Sequence, residues 1–120
     1  LMSKVRGIRG ATTVNRNAKS EIIEATQEML SIILDENKLS VDDIAAAIFT
    51  TTEDVNSEFP AYAARVMGWE YVALLDNIQM EVPDSLKLCI RVLLLVNTDT
   101  PPNQLKNVYL HQAINLRKNK

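Results

Sequence analysis

The segment Cys89 to Val96 (CIRVLLLV) constrains the fold most, because a single arginine interrupts an otherwise apolar run. The run is far short of the roughly 18 to 20 residues that span a bilayer, so it predicts a strand, here taken from Leu86 to Thr98 and buried on both faces. An unpaired guanidinium in such a strand is very costly. Arg91 therefore needs an anion, supplied either by a protein carboxylate such as Glu81 or Asp84 or by a ligand. Taken by itself, the residue leaves both open.

Around that strand the chain alternates between two periodicities. Lys4 to Val14 (KVRGIRGATTV) reads as a first strand, with Gly7 and Gly10 allowing close approach of another backbone or a ligand. Arg6 and Arg9 stand three apart in it, so they point to opposite faces and only one can enter a given pocket. Asn17 is the expected N-cap of a helix reaching Asn37, where Ile22, Thr26, Met29, Leu30, Ile33 and Leu34 recur at helical spacing. Ser40 and Asp43 predict a capping turn before a second strand, Ile44 to Thr52. Phe59-Pro60 opens a short helix that carries Arg65 and closes at Gly68. Tyr71 to Leu75 reads as a third strand, Pro101-Pro102 as a turn or short helix, and Val108 to Leu110 as a last strand. The pattern predicts one α/β domain over residues 1–120. Leu1, ahead of Met2, reads as a cloning remnant, and the basic end from Arg117 to Lys120 as a frayed tail.

Composition removes several classes of function. Thirteen Lys and Arg against 15 Asp and Glu give a net charge of -2 and a pI near 5.4, which argues against a nucleic-acid or membrane-surface partner. Cys89 is the only cysteine, so no internal disulfide forms and a reducing, cytoplasmic setting is expected. With one histidine and one cysteine there is no Ser/His/Asp or Cys/His set, no CxxC or HExxH, and no phosphate-binding glycine loop. No metal or cofactor is expected. His111 is read as solvated or structural.

Several segments together resemble one family. RGIRGATTV (Arg6 to Val14), FPAYAAR (Phe59 to Arg65), GWEYV (Gly68 to Val72), CIRVLLLVNTD (Cys89 to Asp99), VYL (Val108 to Leu110) and NLR (Asn115 to Arg117) are similar, in collinear order, to the AroH-type chorismate mutases. The resemblance implies a small mixed-sheet pseudo α/β-barrel of the bacillus type, assembled as a homotrimer with active sites between subunits. It also implies conversion of chorismate to prephenate for phenylalanine and tyrosine synthesis, without a cofactor. Arg9 and Tyr109 match substrate-carboxylate ligands. Arg91 matches the residue that contacts a carboxylate and the ether oxygen of the breaking bond. Arg65 and Arg117 match arginines at the mouth of the site, and Phe59 and Leu116 match its apolar walls. Leu75 and Asp76 begin a further substrate-lining stretch.

That stretch departs from the family pattern. Asp76 stands where a cysteine is usual, and Gln79 where a glutamate binds the substrate hydroxyl. Gln79 keeps an acceptor oxygen but not the charge. The expectation is that Asp76 returns a carboxylate to the site; a shifted alignment instead brings in Glu81. Tyr62 replaces a lysine at the site mouth. Two other functions stay open: a non-catalytic carboxylate-binding trimer, suggested by Gln79, and an imine or enamine deaminase of the YjgF-like type, which also uses an arginine.

Overall fold

The structure is a computed structural model and describes residues 3–116. Five strands form one mixed sheet: β1 (Lys4–Thr13), β2 (Ile44–Thr51), β3 (Ala73–Ile78), β4 (Cys89–Thr98) and β5 (Val108–Tyr109), in the order β3-β2-β4-β1-β5. β4 runs antiparallel to both β1 and β2, while β3 joins β2 and β5 joins β1 in parallel. Two helices, α1 (Lys19–Asn37) and α2 (Pro60–Val66), pack together on one face. No helix among the described residues is long and apolar enough to cross a membrane.

Alternation along the strands decides which residues meet the helices. Ile8, Leu94 and Ala47 pair across three strands and are fully buried, as are Ile22, Met29, Leu30 and Ile33 on the facing stripe of α1. Gly10 belongs to the same layer, where α1 approaches the sheet closely. A Cβ there would stand 2.7 Å from Ile33 Cδ1 and 3.2 Å from Met29 Cγ.

Four expectations need correction. Asn17 does not cap α1; Ala18 holds that position without a side-chain cap. The Asn17 carboxamide instead accepts the N–H groups of Asn56 and Ser57 at 3.0 Å and donates to Asn56 Oδ1 at 2.7 Å, pinning the loop that leads into α2. The third strand starts at Ala73, because its ladder with β2 runs from Ala46↔Ala73 to Thr51↔Ile78. The fourth starts only at Cys89, since Asp84 and Leu88 have positive φ and turn the chain before it. Finally, β4 is not buried on both faces: Val92, Leu94 and Val96 are buried, whereas Leu93 is 38% exposed. The helices cover one face, and most of the other is open. The Ser40–Asp43 capping box, the proline start of α2 and Gly68 with φ 96° are as expected.

Candidate active site

The open face carries the arginines. Cross-strand pairing sets Asn77, Thr50, Arg91, Ala11 and Tyr109 in one row from β3 to β5. The next row holds Leu75, Ile48, Leu93 and Arg9. Arg9 and Arg91 thus share a face on adjacent strands, while Arg6, opposite Val96, lies on the helix side. Tyr109 and Arg91 flank the small side chain of Ala11, with their strands about 10 Å apart. Gln79 extends the β3 ladder by donating its N–H to Thr51 O at 2.8 Å, and alternation turns its side chain to the face of Asn77.

Beyond this row the face closes. Leu110 N–H donates to Ala11 O at 2.9 Å and Gln112 N–H to Thr13 Oγ1 at 3.2 Å, so the chain after β5 folds over the end of β1. Arg91 sits at this border, half-buried, and Leu116 ends the same turn. Three buried polar atoms on this face lack a partner among the described residues: Arg91 Nε, Tyr109 Oη and Gln79 Oε1. Unpaired groups of this kind cost free energy unless something binds them. Neither Glu81 nor Asp84 is within ion-pair distance of Arg91; among the described residues the ion pairs are Arg16–Glu21, Lys19–Glu58 and His111–Glu28. Glu81 instead meets Glu53, and the shared proton and mutual repulsion hold the Glu53 carboxyl above its usual range. His111 is exposed, 2.8 Å from Glu28, in keeping with a solvated role. Burial pushes the Cys89 thiol up, against the pull of Arg91, which suits an inert thiol.

The remaining site residues form a second patch. Phe59 is 64% exposed at the start of α2, and Arg65 lies on that helix. Asp76 pairs with Phe49 and so lies on the helix side of the sheet, opposite to Gln79; three residues along a strand reverses the face. Its carboxylate accepts the N–H of Ala61 at 3.1 Å in the first turn of α2. Burial raises its pKa, opposed by that bond and by the charge of Arg65. Asp76 therefore does not join Gln79 within one chain. Arg117 lies outside the described residues. Three cavities separate these residues further, with Gln79 and Arg9 in different ones. One of about 480 Å³ is lined by Gln79 and Glu81, another of about 490 Å³ by Phe59 and Asp76, and a third of about 280 Å³ by Arg9, with no lining residue in common. One chain presents two partial walls.

Comparison with known proteins decides the family. Residues 5–120 match the model of chorismate mutase type I. The chain belongs to the chorismate mutase type I family. It is 49% identical over 114 residues to chorismate mutase AroH of Thermus thermophilus, covering 94% of this chain and 93% of that protein. It is 41% identical to chorismate mutase AroH of Bacillus subtilis, again over 114 residues, covering 94% and 90%. A solved chorismate mutase from Clostridium thermocellum superposes with a TM-score of 0.89 at 47% identity, over 90% of this chain and 96% of that one. The mixed five-stranded sheet with two helices is thus a chorismate mutase fold.

Sequence motifs do not reveal the asparagines that tie these segments together, and Asn17 is predicted only as a helix cap. Asn17, Asn37 and Asn107 all bond to backbone groups 39 to 98 residues away. Such bonds leave no local pattern in a sequence; a polar residue at the end of a predicted helix is the only hint Asn37 gives.

Proposed function

We propose that the protein converts chorismate to prephenate by a concerted rearrangement, in the cytoplasm, as a homotrimer whose sites lie between neighbouring chains. The substrate is a dianion, and its ether oxygen gains negative charge as the bond breaks. No nucleophile, proton transfer, metal or cofactor is needed for that step. A pocket accelerates it by holding the compact conformer and by setting fixed donors where charge develops. Arg91 suits this task, since a guanidinium fork can bridge a carboxylate and the ether oxygen together. Arg9 and Tyr109 bind the carboxylates, and Gln79 accepts the substrate hydroxyl through Oε1. Leu116 borders this wall, and the family resemblance assigns Arg117 to the mouth of the site. Leu75 adds apolar lining on the same face as Arg9, and the neighbouring chain supplies Phe59, Arg65 and Asp76, bringing the Asp76 carboxylate near the ring from the opposite side.

The observation carrying this reading is the open face, where Arg91 and Tyr109 share one row and Gln79 lies beyond its end, each with an unpartnered polar atom, beside exposed apolar residues such as Leu75 and Leu93. An open sheet face with this much apolar surface is suited to a second copy. Mixing the purified protein with chorismate and following loss of its diene absorbance tests the activity. Rapid loss with appearance of prephenate is the expected result. Binding without loss points to a carboxylate-binding trimer, and ammonia release from an imine to a deaminase.

A further inference from the structure

β5 is only two residues long and lies at the sheet edge, yet it carries Tyr109. Its parallel ladder with β1 covers just Gly10↔Val108 and Ala11↔Tyr109. So short a pairing is weak by itself, and the position of the phenol depends on what grips the chain at either side. On the far side, Leu110 N–H donates to Ala11 O at 2.9 Å. On the near side two asparagine side chains grip it, Asn107 through β1 and Asn37 from α1. Asn37, the last residue of α1, accepts the N–H of Lys106 through Oδ1 at 2.8 Å and donates through Nδ2 to the Lys106 carbonyl at 2.9 Å. Nδ2 also donates to the carbonyl of Ile33, a fully buried residue of α1, at 2.9 Å. Both hydrogens of the carboxamide are used and its oxygen is engaged, so its orientation is fixed. The backbone of Lys106 is thereby tied to the helix core three residues before Tyr109.

We propose that Asn37 is a positioning residue for the substrate carboxylate: its clamp on Lys106 sets where the Tyr109 hydroxyl stands relative to Arg91. The inference rests on the reading of Tyr109 as a carboxylate ligand. Asn37 sits on α1, which packs on the opposite face of the sheet from Arg91, so it acts through β5 and not by touching substrate. Asn107 helps from the next position, where its Oδ1 accepts the N–H of Arg9 at 2.8 Å.

A double-mutant cycle tests it, with kcat and KM for chorismate measured on the intact protein, Tyr109→Phe, Asn37→Ala and the double variant. Tyr109→Phe is expected to lower kcat/KM about tenfold, mostly by raising KM, as for one hydrogen bond to a charged group. Asn37→Ala is expected to lower it by about three- to tenfold in the same way. The decisive result is the double variant, expected within about twofold of Tyr109→Phe alone, because the clamp has nothing left to position. Multiplying effects, or an unchanged Asn37→Ala enzyme, overturn the proposal while leaving the role of Tyr109 standing. A silent Tyr109→Phe overturns the carboxylate-ligand reading itself, and the inference with it. If Asn37→Ala does not fold, Asn37→Asp replaces it in the cycle; it retains the acceptor for Lys106 N–H and loses both donated bonds.

Discussion

The two faces of one sheet follow opposite rules, although the same strands build both. Toward the helices, Ile8, Leu94 and Ala47 have no exposure. One residue along, Arg9 and Leu93 are exposed, and Arg91 keeps an unpartnered Nε. The covered face is filled and apolar, and its demand is volume. The open face mixes apolar side chains with cations and unsatisfied polar atoms, and its demand is for anions and cover. With the proposed site on the second face, stability is concentrated on the first and recognition on the second, so substitutions one residue apart should fail in different ways.

The largest separation is expected at Arg91. Arg91→Ala should lower kcat by about 10² to 10³ while circular dichroism and thermal melting stay near those of the parent. Equal turnover in a folded variant would remove Arg91 from the chemistry. Gly10→Ala, on the covered face, should do the reverse. Its Cβ meets Ile33, Val92 and Met29, so denaturant unfolding should show a loss of about 1 to 3 kcal/mol with little change in activity per folded molecule. A stable Gly10→Ala protein would mean that this layer has slack.

Gln79→Ala tests a smaller contribution from the open face. Loss of one neutral acceptor for the substrate hydroxyl should reduce kcat/KM about five- to tenfold, a change of roughly 1 kcal/mol. The smallest effect is expected at Asp76, on the helix side. Because burial raises its pKa, folding favours its protonated form. Its contribution to stability is therefore fully present below the unfolded value and falls away as pH rises through the folded one. Asp76→Asn, which keeps an oxygen for Ala61 N–H, should be slightly more stable than the parent near neutral pH, by less than about 1 kcal/mol given partial exposure. The parent should recover that deficit as pH falls toward 4. A melting curve series from pH 7 to 4 shows which order holds. The same variant assayed with chorismate reports whether this carboxylate reaches a neighbour's site: an unchanged kcat would end that role.

Strongly periodic elements and motif residues were legible in the sequence. The stripe from Ile22 to Leu34, the Pro60 start of α2 and the opposite faces of Arg6 and Arg9 all follow from local spacing. The family was legible too, from segments that match in order. What local spacing does not carry is pairing between distant strands. The start of β3 at Ala73 depends on its register with β2, and the late start of β4 on backbone turns at Asp84 and Leu88. The apolar run in β4 suggested burial on both faces, but the helices of this chain cover only one and leave Leu93 exposed on the other. Asp76 was placed beside Gln79 by closeness in sequence, although an odd spacing on a strand sends the two side chains to opposite faces.

Subunit mixing tests most directly whether two partial walls from different chains make each site. Arg91→Ala damages the wall on the open face, and Phe59→Asp sets a repulsive charge in the other, at a side chain exposed enough to change without disturbing the core. Each variant alone should be nearly inactive. When the two are unfolded together and reassembled, roughly a quarter of the interfaces should combine two undamaged walls, and activity should rise to about that fraction of the parent. Activity no greater than the average of the two separate variants would show that the site belongs to a single chain.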